Sequence, residues 1–204
     1  MVIIGLCGSS GSGKGYVSEK FSQYGVGFID TDLVYRERVL VNRDCIKELV
    51  DSFGNGILEN GFVSKKRLAA IVFEGEGARA RLDTLNRITH KYIKIETEAL
   101  LASHLENGFS AVLVDAPVLF ESGFDKMCHV TVCVTAPYEE KLARIMQRDG
   151  ITEEKAQARL KSQLSDTELR ERCTFEIDNK NGADLTIQIL SILEKLKINQ
   201  GDKL

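Results

Sequence analysis

Seven residues near the start of the chain have the composition and spacing of a phosphate-binding loop. They form the segment Gly8-Ser9-Ser10-Gly11-Ser12-Gly13-Lys14, which lies between an apolar run at 2–7 and a predicted helix. In such a loop consecutive backbone N–H groups surround a phosphate, and the lysine reaches the β- and γ-phosphates of a nucleotide. A flexible Gly/Ser segment that only caps a helix is the alternative. The order strand, loop, helix favours the phosphate site.

We expect nucleotide phosphates to contact the loop and the first turn of the helix behind it. The residues concerned are Ser10, Gly11, Ser12, Gly13, Lys14, Gly15 and Tyr16. Gly15 occupies the position where this motif usually has Ser or Thr, whose hydroxyl ligates Mg²⁺. Because glycine offers no side-chain ligand, we expect the substrate's phosphates and water to hold Mg²⁺, with carboxylates acting through water.

Three aspartates follow predicted strands and are candidates for proton transfer and for metal binding. Asp30 and Asp32 follow the segment 26–29, and Asp115 follows the apolar run 111–114. Ligands of parallel sheets bind at the carboxyl ends of the strands, where a carboxylate can accept the proton of a hydroxyl nucleophile. We expect Asp32 and Asp115 to be outer-shell partners of Mg²⁺. Each aspartate has the alternative role of capping a helix or turn.

A basic stripe follows on a predicted helix, with Lys141, Arg144 and Arg148 at i, i+3 and i+7. This spacing places the three charges on one side of the helix, where arginine can stabilise a phosphoryl group in transfer. We predict this role for Arg144 and Arg148, which lie nearer the expected lid hinge. For Lys141 we favour a solvent-exposed face paired with Glu139 and Glu140.

Strands and helices alternate along the chain. Apolar runs predict strands at 2–7, 26–29, 111–114, 130–134 and 175–177, and the C-terminal segment 184–196 predicts an amphipathic helix. This alternation predicts an α/β fold, a P-loop three-layer sandwich with a parallel five-stranded sheet covered by helices on both faces.

Two segments are longer than a crossover between strands requires. Residues 33–107 are mostly helical with glycine-rich breaks at 54–61 and 75–77, and a polar helical stretch spans 152–172. We predict one domain, 1–204, in which a helical acceptor-binding insert (33–107) and a short helical lid (139–172) interrupt the core. The nucleotide-binding core comprises 1–32, 108–138 and 173–204. The longest helix of the insert is expected to bury an apolar stripe of Leu82, Leu85, Ile88, Tyr92 and Ile95.

Charge and cysteine content restrict the class of protein. The formal net charge of −3 argues against a nucleic-acid or membrane-surface binder, since such proteins concentrate Lys and Arg. The five cysteines are odd in number and lack a CxxC pair or zinc-site spacing, so we expect free thiols in a reducing cytosol. The first residues lack the basic flank and long apolar run of a signal peptide or membrane span. We therefore expect a cytoplasmic protein without nucleic-acid or membrane partners.

Ordered motifs along nearly the whole chain resemble those of the dephospho-CoA kinase family. They are GLCGSSGSGKG, FIDTDLVYR, LNRITHKYI, VLVDAPVLFESGFD, RIMQRDGITEEKAQARLKSQ and FEIDN. The resemblance implies transfer of the γ-phosphoryl group of ATP to the ribose 3′-hydroxyl of dephospho-CoA, the last step of coenzyme A synthesis. ATP and dephospho-CoA are then the substrates, and Mg²⁺ is the expected metal.

The resemblance also implies roles for single residues. Asp32 corresponds to the carboxylate that takes the acceptor's proton, and Arg36 to a residue of the acceptor site. Lys14, Arg144 and Arg148 would stabilise the transferring phosphate.

Further positions match the family's lid, nucleotide site and acceptor site. Arg159 and Gln163 resemble the lid, and Asn179 resembles a residue near the adenine. His90 matches a family histidine and is a candidate for the acceptor site, although an exposed or capping histidine fits its neighbours as well. Three positions depart from the family pattern: Gly15 replaces Ser or Thr, Lys91 replaces Pro, and Lys141 replaces Gln. Lys91 would leave a helix unbroken.

Two other functions stay open. The GKG sequence of the loop also fits another small P-loop kinase, acting on a metabolite or a nucleoside monophosphate. Gly15 also fits a regulator that binds ATP without transferring phosphate. In each case we expect a monomer or a small homo-oligomer.

Overall fold

A five-stranded sheet carries the phosphate loop. The computed structural model describes residues 1–198, with strands β1 (Val2–Cys7), β2 (Gly27–Asp30), β3 (Leu58–Glu59), β4 (Phe62–Val63), β5 (Ala111–Asp115), β6 (Val130–Thr135) and β7 (Phe175–Asp178). The main sheet has the order β2-β5-β1-β6-β7. It is parallel and flanked by helices, which confirms the predicted α/β class.

The helices lie close to the predicted segments. They are α1 (Lys14–Ser22), α2 (Thr31–Glu37), α3 (Arg43–Phe53), α4 (Lys65–Phe73), α5 (Ala78–Glu106), α6 (Tyr138–Asp149), α7 (Glu153–Lys161), α8 (Asp166–Arg172) and α9 (Leu185–Lys195). Short 3₁₀ turns cover Val39–Val41, Asn55–Ile57 and Phe124–Met127. No helix within residues 1–198 is long and apolar enough to cross a membrane.

The chain divides into two compact units, of which the first contains the main sheet. The first unit consists of Met1–Ile29 and the described part of Ser103–Leu204, and the second of Asp30–Ala102. Both units are built on apolar side chains. In the first, buried residues of the strands pack with two helices, α1 through Val17 and Phe21, and α9 through Ile189 and Leu193. The division into core, acceptor-binding insert and lid stays a prediction.

Strand register brings functional positions together at one edge of the first unit. Leu6 lies opposite Asp115 in the β1–β5 pair, and Cys7 lies opposite Cys133 in the β1–β6 pair. The loop that follows Cys7 therefore leaves the sheet beside the carboxyl ends of β5 and β6, where ligands of parallel sheets bind.

The second unit contains a hairpin that we expected to be a glycine-rich break. Strands β3 and β4 pair antiparallel across Asn60 and Gly61, whose φ angles are 52° and 83°. Asn-Gly is the dipeptide that favours such a tight turn, because both of its residues tolerate positive φ. The flanking strands are only two residues long, so their alternation is too short to predict from sequence.

Helix α5 runs unbroken through Lys91, as expected when proline is absent from that position. The Lys91 Nζ lies 2.8 Å from Glu48 Oε2 on α3, and this hydrogen bond is the main cause of the lowered pKa of Glu48. The predicted apolar stripe is wrong at Ile95, which is 49% exposed, whereas Ile93 is buried. The buried side of α5 shifts after Tyr92 to positions four residues apart: Ile93, Thr97 and Leu101.

The polar stretch expected at 152–172 is two helices, α7 and α8. Ser165 begins α8 with a capping box, in which its hydroxyl accepts from Glu168 N and Glu168 accepts from Ser165 N. The cap fixes a start for α8 that hydrophobic periodicity does not reveal. Gln163 lies in the break between the two helices.

Candidate active site

The phosphate loop turns at two glycines. Gly11 and Gly13 have φ of 77° and 90°, in the left-handed region that side chains disfavour. A Cβ on Gly11 would lie 2.5 Å from the carbonyl oxygen of Lys141, and one on Gly13 would overlap Asn179 Nδ2. Both glycines are therefore required, by backbone conformation and by close neighbours.

Helix α1 begins directly behind this loop, with Gly13 at its N-cap. No side chain of the described residues caps it. The first N–H groups of a helix lack intrahelical acceptors and lie at the positive end of its dipole, which suits an anionic ligand. In the first turn, Lys14 Nζ lies 3.9 Å from Asp115 Oδ1 at the end of β5. The loop, the helix end and the lysine form the predicted arrangement of donors and positive charge.

Arg144 and Asn179 hold the loop from outside. Asn179 Nδ2 donates to the carbonyl oxygen of Ser12 at 2.7 Å, and Arg144 Nη1 donates to that of Gly11 at 3.3 Å. Arg144 Nη2 also donates to Glu140 Oε2 at 2.8 Å and to the Asn179 carbonyl oxygen at 3.0 Å. The guanidinium therefore lies beside the loop, and part of its charge is compensated by Glu140.

Lys141 is buried, so the prediction of a solvent-exposed face is wrong. Only 6% of the residue is exposed. Its Nζ donates to Asp166 Oδ1 at 2.7 Å and to Ser9 Oγ at 3.1 Å, and Ser9 Oγ donates to the same Asp166 oxygen at 3.2 Å. The physical reason is that this side of α6 faces the phosphate loop and α8. The three side chains connect α6, the loop and α8.

Ser10 also contacts the predicted lid region. Its backbone N–H donates to Gln163 Oε1 at 2.8 Å, and its hydroxyl accepts from Arg148 Nη2 at 3.3 Å. Arg148 also makes two hydrogen bonds to Asp149, and the hydrogen bond from Arg148 is the main reason that the pKa of Asp149 falls to about 2. Asp149 is also paired with Arg159. Arg148 thus touches the loop while its charge is paired.

A cavity of about 110 Å³ adjoins the phosphate loop. Three segments line it: the loop start with Cys7, Gly8 and Ser9, the segment 117–121 after β5, and the lid region at 162–164 with Leu169. Its position at the carboxyl ends of β1 and β5 is where parallel sheets bind ligands.

Few side chains near the phosphate loop could contribute to binding a metal ion. No group of three or more His, Cys, Asp or Glu within the described part of the chain could hold a metal ion. Asp115 is the carboxylate beside Lys14, and the buried Ser12 Oγ has no hydrogen-bond partner among residues 1–198. Gly15 and Tyr16 are exposed in the first turn of α1, and a Cβ on Gly15 would meet no heavy atom within 4 Å.

The predicted acceptor residues lie on α2 and α5. Asp30 caps α2, with Oδ1 accepting from Asp32 N at 2.8 Å and from Leu33 N at 3.1 Å. The Asp32 side chain is exposed and does not serve as this cap. Arg36 Nε donates to the Asp32 carbonyl oxygen at 3.3 Å. His90 is half-buried, and burial lowers its pKa. The capping alternative thus applies to Asp30 and leaves the Asp32 carboxylate accessible.

Comparison with known proteins identifies the family. A family model described as dephospho-CoA kinase matches residues 2–184. The chain is 35% identical to the dephospho-CoA kinase of Dehalococcoides mccartyi, covering 88% of this chain and 89% of that protein. This chain belongs to the dephospho-CoA kinase family. It is also 33% identical to the dephospho-CoA kinase of Listeria innocua, covering 97% of this chain and 98% of that protein.

A solved dephospho-CoA kinase has the same fold. The structure from Campylobacter jejuni superposes with a TM-score of 0.67 at 26% identity and covers 95% of this chain and 96% of its own. The P-loop kinase fold predicted from the sequence is therefore confirmed. The roles of single residues in the dephospho-CoA kinase reaction stay predictions.

Sequence reasoning missed the residues that support the loop indirectly. Asp166 and Ser9 complete the contacts of Lys141, and Glu140 and Asn181 complete those of Arg144, with Asn181 Oδ1 accepting at 3.2 Å. The i, i+4 spacing of Glu140 and Arg144 was a usable signal for one of these pairs. The Lys141–Asp166 pair joins residues distant in sequence, and nothing in its local pattern indicates it.

Replacing Lys141 by methionine tests its buried ion pair. We expect Lys141→Met to lower the free energy of unfolding by about 3 kcal/mol, because Asp166 would keep a largely buried charge without its partner. Exposed Lys161, in the same lid region, is the matched control: Lys161→Met should change stability by less than about 0.5 kcal/mol.

Urea unfolding of both variants and of Lys141→Met/Asp166→Leu measures the effect. The double variant should recover part of the loss, because the unpaired carboxylate is then gone. Strictly additive losses would show that Lys141 and Asp166 are not energetically coupled.

Proposed function

We propose that the protein transfers the γ-phosphoryl group of ATP to the ribose 3′-hydroxyl of dephospho-CoA, forming coenzyme A. The observation that carries this proposal is the phosphate loop at Gly8–Lys14, which Arg144 and Asn179 hold by hydrogen bonds to its carbonyl oxygens. The chain that contains this loop matches dephospho-CoA kinases over nearly their full length. ATP and dephospho-CoA are thus the proposed substrates.

Residues of the loop and of α6 bind the nucleotide in this proposal. Backbone N–H groups between Ser10 and Tyr16 donate to phosphate oxygens, except that of Ser12, which donates to the Ser9 carbonyl oxygen at 3.1 Å. Lys14 places its ammonium on the β- and γ-phosphates. Its distance of 3.9 Å from Asp115 leaves the ammonium loosely paired and able to turn to a phosphate. Arg144 stabilises the charge that develops on the transferring group, since it already lies beside Gly11 and Gly13.

The lid region must rearrange in part when phosphate binds. Gln163 accepts from Ser10 N, and Arg148 is paired with Asp149. We infer that a phosphate oxygen replaces Gln163 Oε1 on the N–H group, and that Arg148 exchanges part of its pairing with Asp149 for the nucleotide. Exclusion of water by the lid would then limit ATP hydrolysis.

Asn179 is proposed to act at the nucleotide site mainly through the loop. One N–H of its Nδ2 donates to Ser12 O, which leaves the amide oxygen and the second N–H for a nucleotide. The role near the adenine that the family resemblance implies is compatible with this orientation.

Asp32 is proposed to take the proton of the acceptor hydroxyl. Its backbone is fixed at the start of α2 by the cap from Asp30, and its carboxylate is exposed, as a base that meets an incoming substrate must be. Arg36 and His90 are the proposed acceptor-site residues. Arg36 is exposed one turn from Asp32, and the lowered pKa of His90 favours a neutral imidazole that can donate or accept a hydrogen bond.

We propose that Mg²⁺ is held by the substrate's phosphates and by water. Asp115 and Asp32 are the proposed outer-shell carboxylates, and the open space at Gly15 admits water where related loops have a hydroxyl. The buried Ser12 Oγ, without a partner among the described residues, would be satisfied by a phosphate oxygen or by such a water. When bound, Mg²⁺ would compensate charge on the β- and γ-phosphate oxygens.

An ATP-binding regulator without phosphate transfer is a second candidate, favoured by Gly15. The regulator and the kinase differ in one respect that an assay detects, which is consumption of ATP in the presence of an acceptor.

The oligomeric state and the location of the protein stay predictions: a monomer or small homo-oligomer in the cytoplasm.

An acceptor assay tests the proposed function. Purified protein is supplied with Mg·ATP and, separately, with dephospho-CoA, nucleoside monophosphates and shikimate, while ADP formation is followed in a coupled assay. We expect turnover with dephospho-CoA alone. Turnover with a different acceptor would favour another small kinase, and ATP binding without turnover would favour the regulator.

Substitution of Asp32 tests the proposed base. We expect Asp32→Asn to lower kcat by about 10²- to 10⁴-fold with little change in ATP affinity, because the amide cannot accept the proton. Asp30→Asn is the matched control, since asparagine caps a helix about as well as aspartate and should leave kcat nearly unchanged. Steady-state kinetics and ATP titration separate the two effects. Equal losses in kcat and in ATP affinity for Asp32→Asn would contradict the assignment.

A further inference from the structure

Three of the five cysteines meet beside the phosphate loop. Cys7 ends β1, Cys133 lies opposite it on β6, and Cys173 follows the last residue of α8. The Cys7 and Cys173 sulfur atoms are 3.5 Å apart. Cys133 lies beside this pair through its register with Cys7, and its thiol donates to the carbonyl oxygen of Phe175 at 3.6 Å. We call these three residues the thiol cluster.

The three cysteines of the thiol cluster differ in solvent exposure. Cys173 is partly exposed, whereas Cys7 and Cys133 are buried. Cys7 also lines the cavity beside the loop. A dissolved oxidant therefore reaches Cys173 first. The Cys7 sulfur lies 3.5 Å from the Cys173 sulfur, close enough to react with the oxidised product.

The hydrogen bonds in the cluster distinguish a nucleophile from its neighbours. The neighbouring thiols of Cys133 and Cys7 lower the pKa of Cys173, which shares a hydrogen bond with Cys7. The same hydrogen bond, together with burial, raises the pKa of Cys7. Because the thiolate is the reactive form, Cys173 is the sulfur that attacks an oxidant, and Cys7 keeps its proton until the second step.

We propose that Cys173 and Cys7 form a reversible disulfide, with Cys173 as the sulfur that is oxidised first. With hydrogen peroxide as oxidant, the Cys173 thiolate attacks one oxygen, the O–O bond breaks, and Cys173 becomes a sulfenic acid while the other oxygen leaves as hydroxide and takes a proton. The Cys7 thiol then loses its proton and attacks the Cys173 sulfur, releasing the sulfenic oxygen as water. Two thiols and one peroxide thus give one disulfide and two waters.

The separation of the Cys7 and Cys173 sulfur atoms is one of direct contact. A disulfide requires the sulfur atoms to approach to about 2 Å, so the two side chains must move closer by less than the diameter of an atom. The remaining cysteines, Cys45 and Cys128, lie outside the cluster; the Cys128 thiol donates to the carbonyl oxygen of Phe124 at 3.3 Å.

The bond would join the strand before the phosphate loop to the end of α8, close to the lid residues that the proposed reaction rearranges. Cys7 is followed directly by Gly8 of the phosphate loop, and α8 carries the Asp166 carboxylate that contacts Lys141 and Ser9. A covalent link between β1 and the end of α8 restrains the lid region against the loop. We therefore expect the oxidised protein to turn over more slowly, a consequence that rests on the proposed kinase function, whereas disulfide formation itself does not.

Thiol counting and peptide mapping of the whole protein test the proposal without an activity assay. After treatment with hydrogen peroxide, the thiols titrated under denaturing conditions should fall from the five of the sequence to three. Proteolysis and mass spectrometry should then find the peptides of Cys7 and Cys173 joined, and dithiothreitol should restore all five thiols. If the kinase assay succeeds, the same samples should lose turnover on oxidation and regain it on reduction.

Variants separate the cluster from ordinary thiol oxidation. Cys173→Ser should form no cross-link, and Cys173→Ala repeats the test if the serine variant folds poorly. Cys128→Ser, which removes a cysteine outside the cluster, should still lose two thiols. A cross-link between Cys133 and Cys173, a disulfide between two chains, or oxygen added to Cys173 without loss of Cys7 would each overturn the proposal.

Discussion

The backbone of the phosphate loop imposes the constraint on which the rest of the site depends. When a loop turns its N–H groups toward an anion, its carbonyl groups face the opposite way, and buried carbonyls need donors. In this chain Asn179 donates to Ser12 O and Arg144 to Gly11 O. Positive φ angles at Gly11 and Gly13 permit the turn, and these two donors stabilise it.

The need for those donors explains why distant segments meet here. Asn179 follows β7 and is held by a hydrogen bond from its N–H to the Thr135 carbonyl oxygen at the end of β6. Arg144 and Lys141 lie on α6, which follows β6 in the chain. The parallel sheet thus brings the ends of β1, β6 and β7 to one edge, and the segments that follow those strands supply the donors.

The Lys141–Asp166 pair extends the same support to α8. A largely buried ion pair stabilises little by itself, because desolvation offsets most of the attraction, but it tolerates few alternative arrangements. Its members connect α6 and α8 through Ser9, which belongs to the phosphate loop. The position of α8, and with it that of Cys173, is therefore coupled to the shape of the loop.

Much of this structure could be predicted from the sequence, for identifiable reasons. The glycines and lysine of the loop, the apolar runs of the five strands and the Arg144 position are local patterns with direct physical meaning. The burial of Lys141 was not predictable, because its partner is remote in sequence and the neighbouring glutamates suggested an exposed face. The β3–β4 hairpin depends on an Asn-Gly turn, and the break before α8 depends on a capping box. Both are short signals inside longer segments whose pattern predicts helix.

Calorimetric titration of Mg·ATP into the wild-type protein and into Gly13→Ala tests the central claim most directly, with Gly56→Ala as control. Gly56 lies outside the loop, its φ is not in the positive region, and a Cβ there would meet its nearest neighbour at 3.9 Å. The account predicts that wild type and Gly56→Ala bind ATP alike, while Gly13→Ala binds at least about tenfold more weakly. The reason is that alanine disfavours a φ of 90° and that its Cβ would displace Asn179 Nδ2 from the Ser12 carbonyl oxygen. ATP binding by Gly13→Ala as tight as that of wild type would contradict the account.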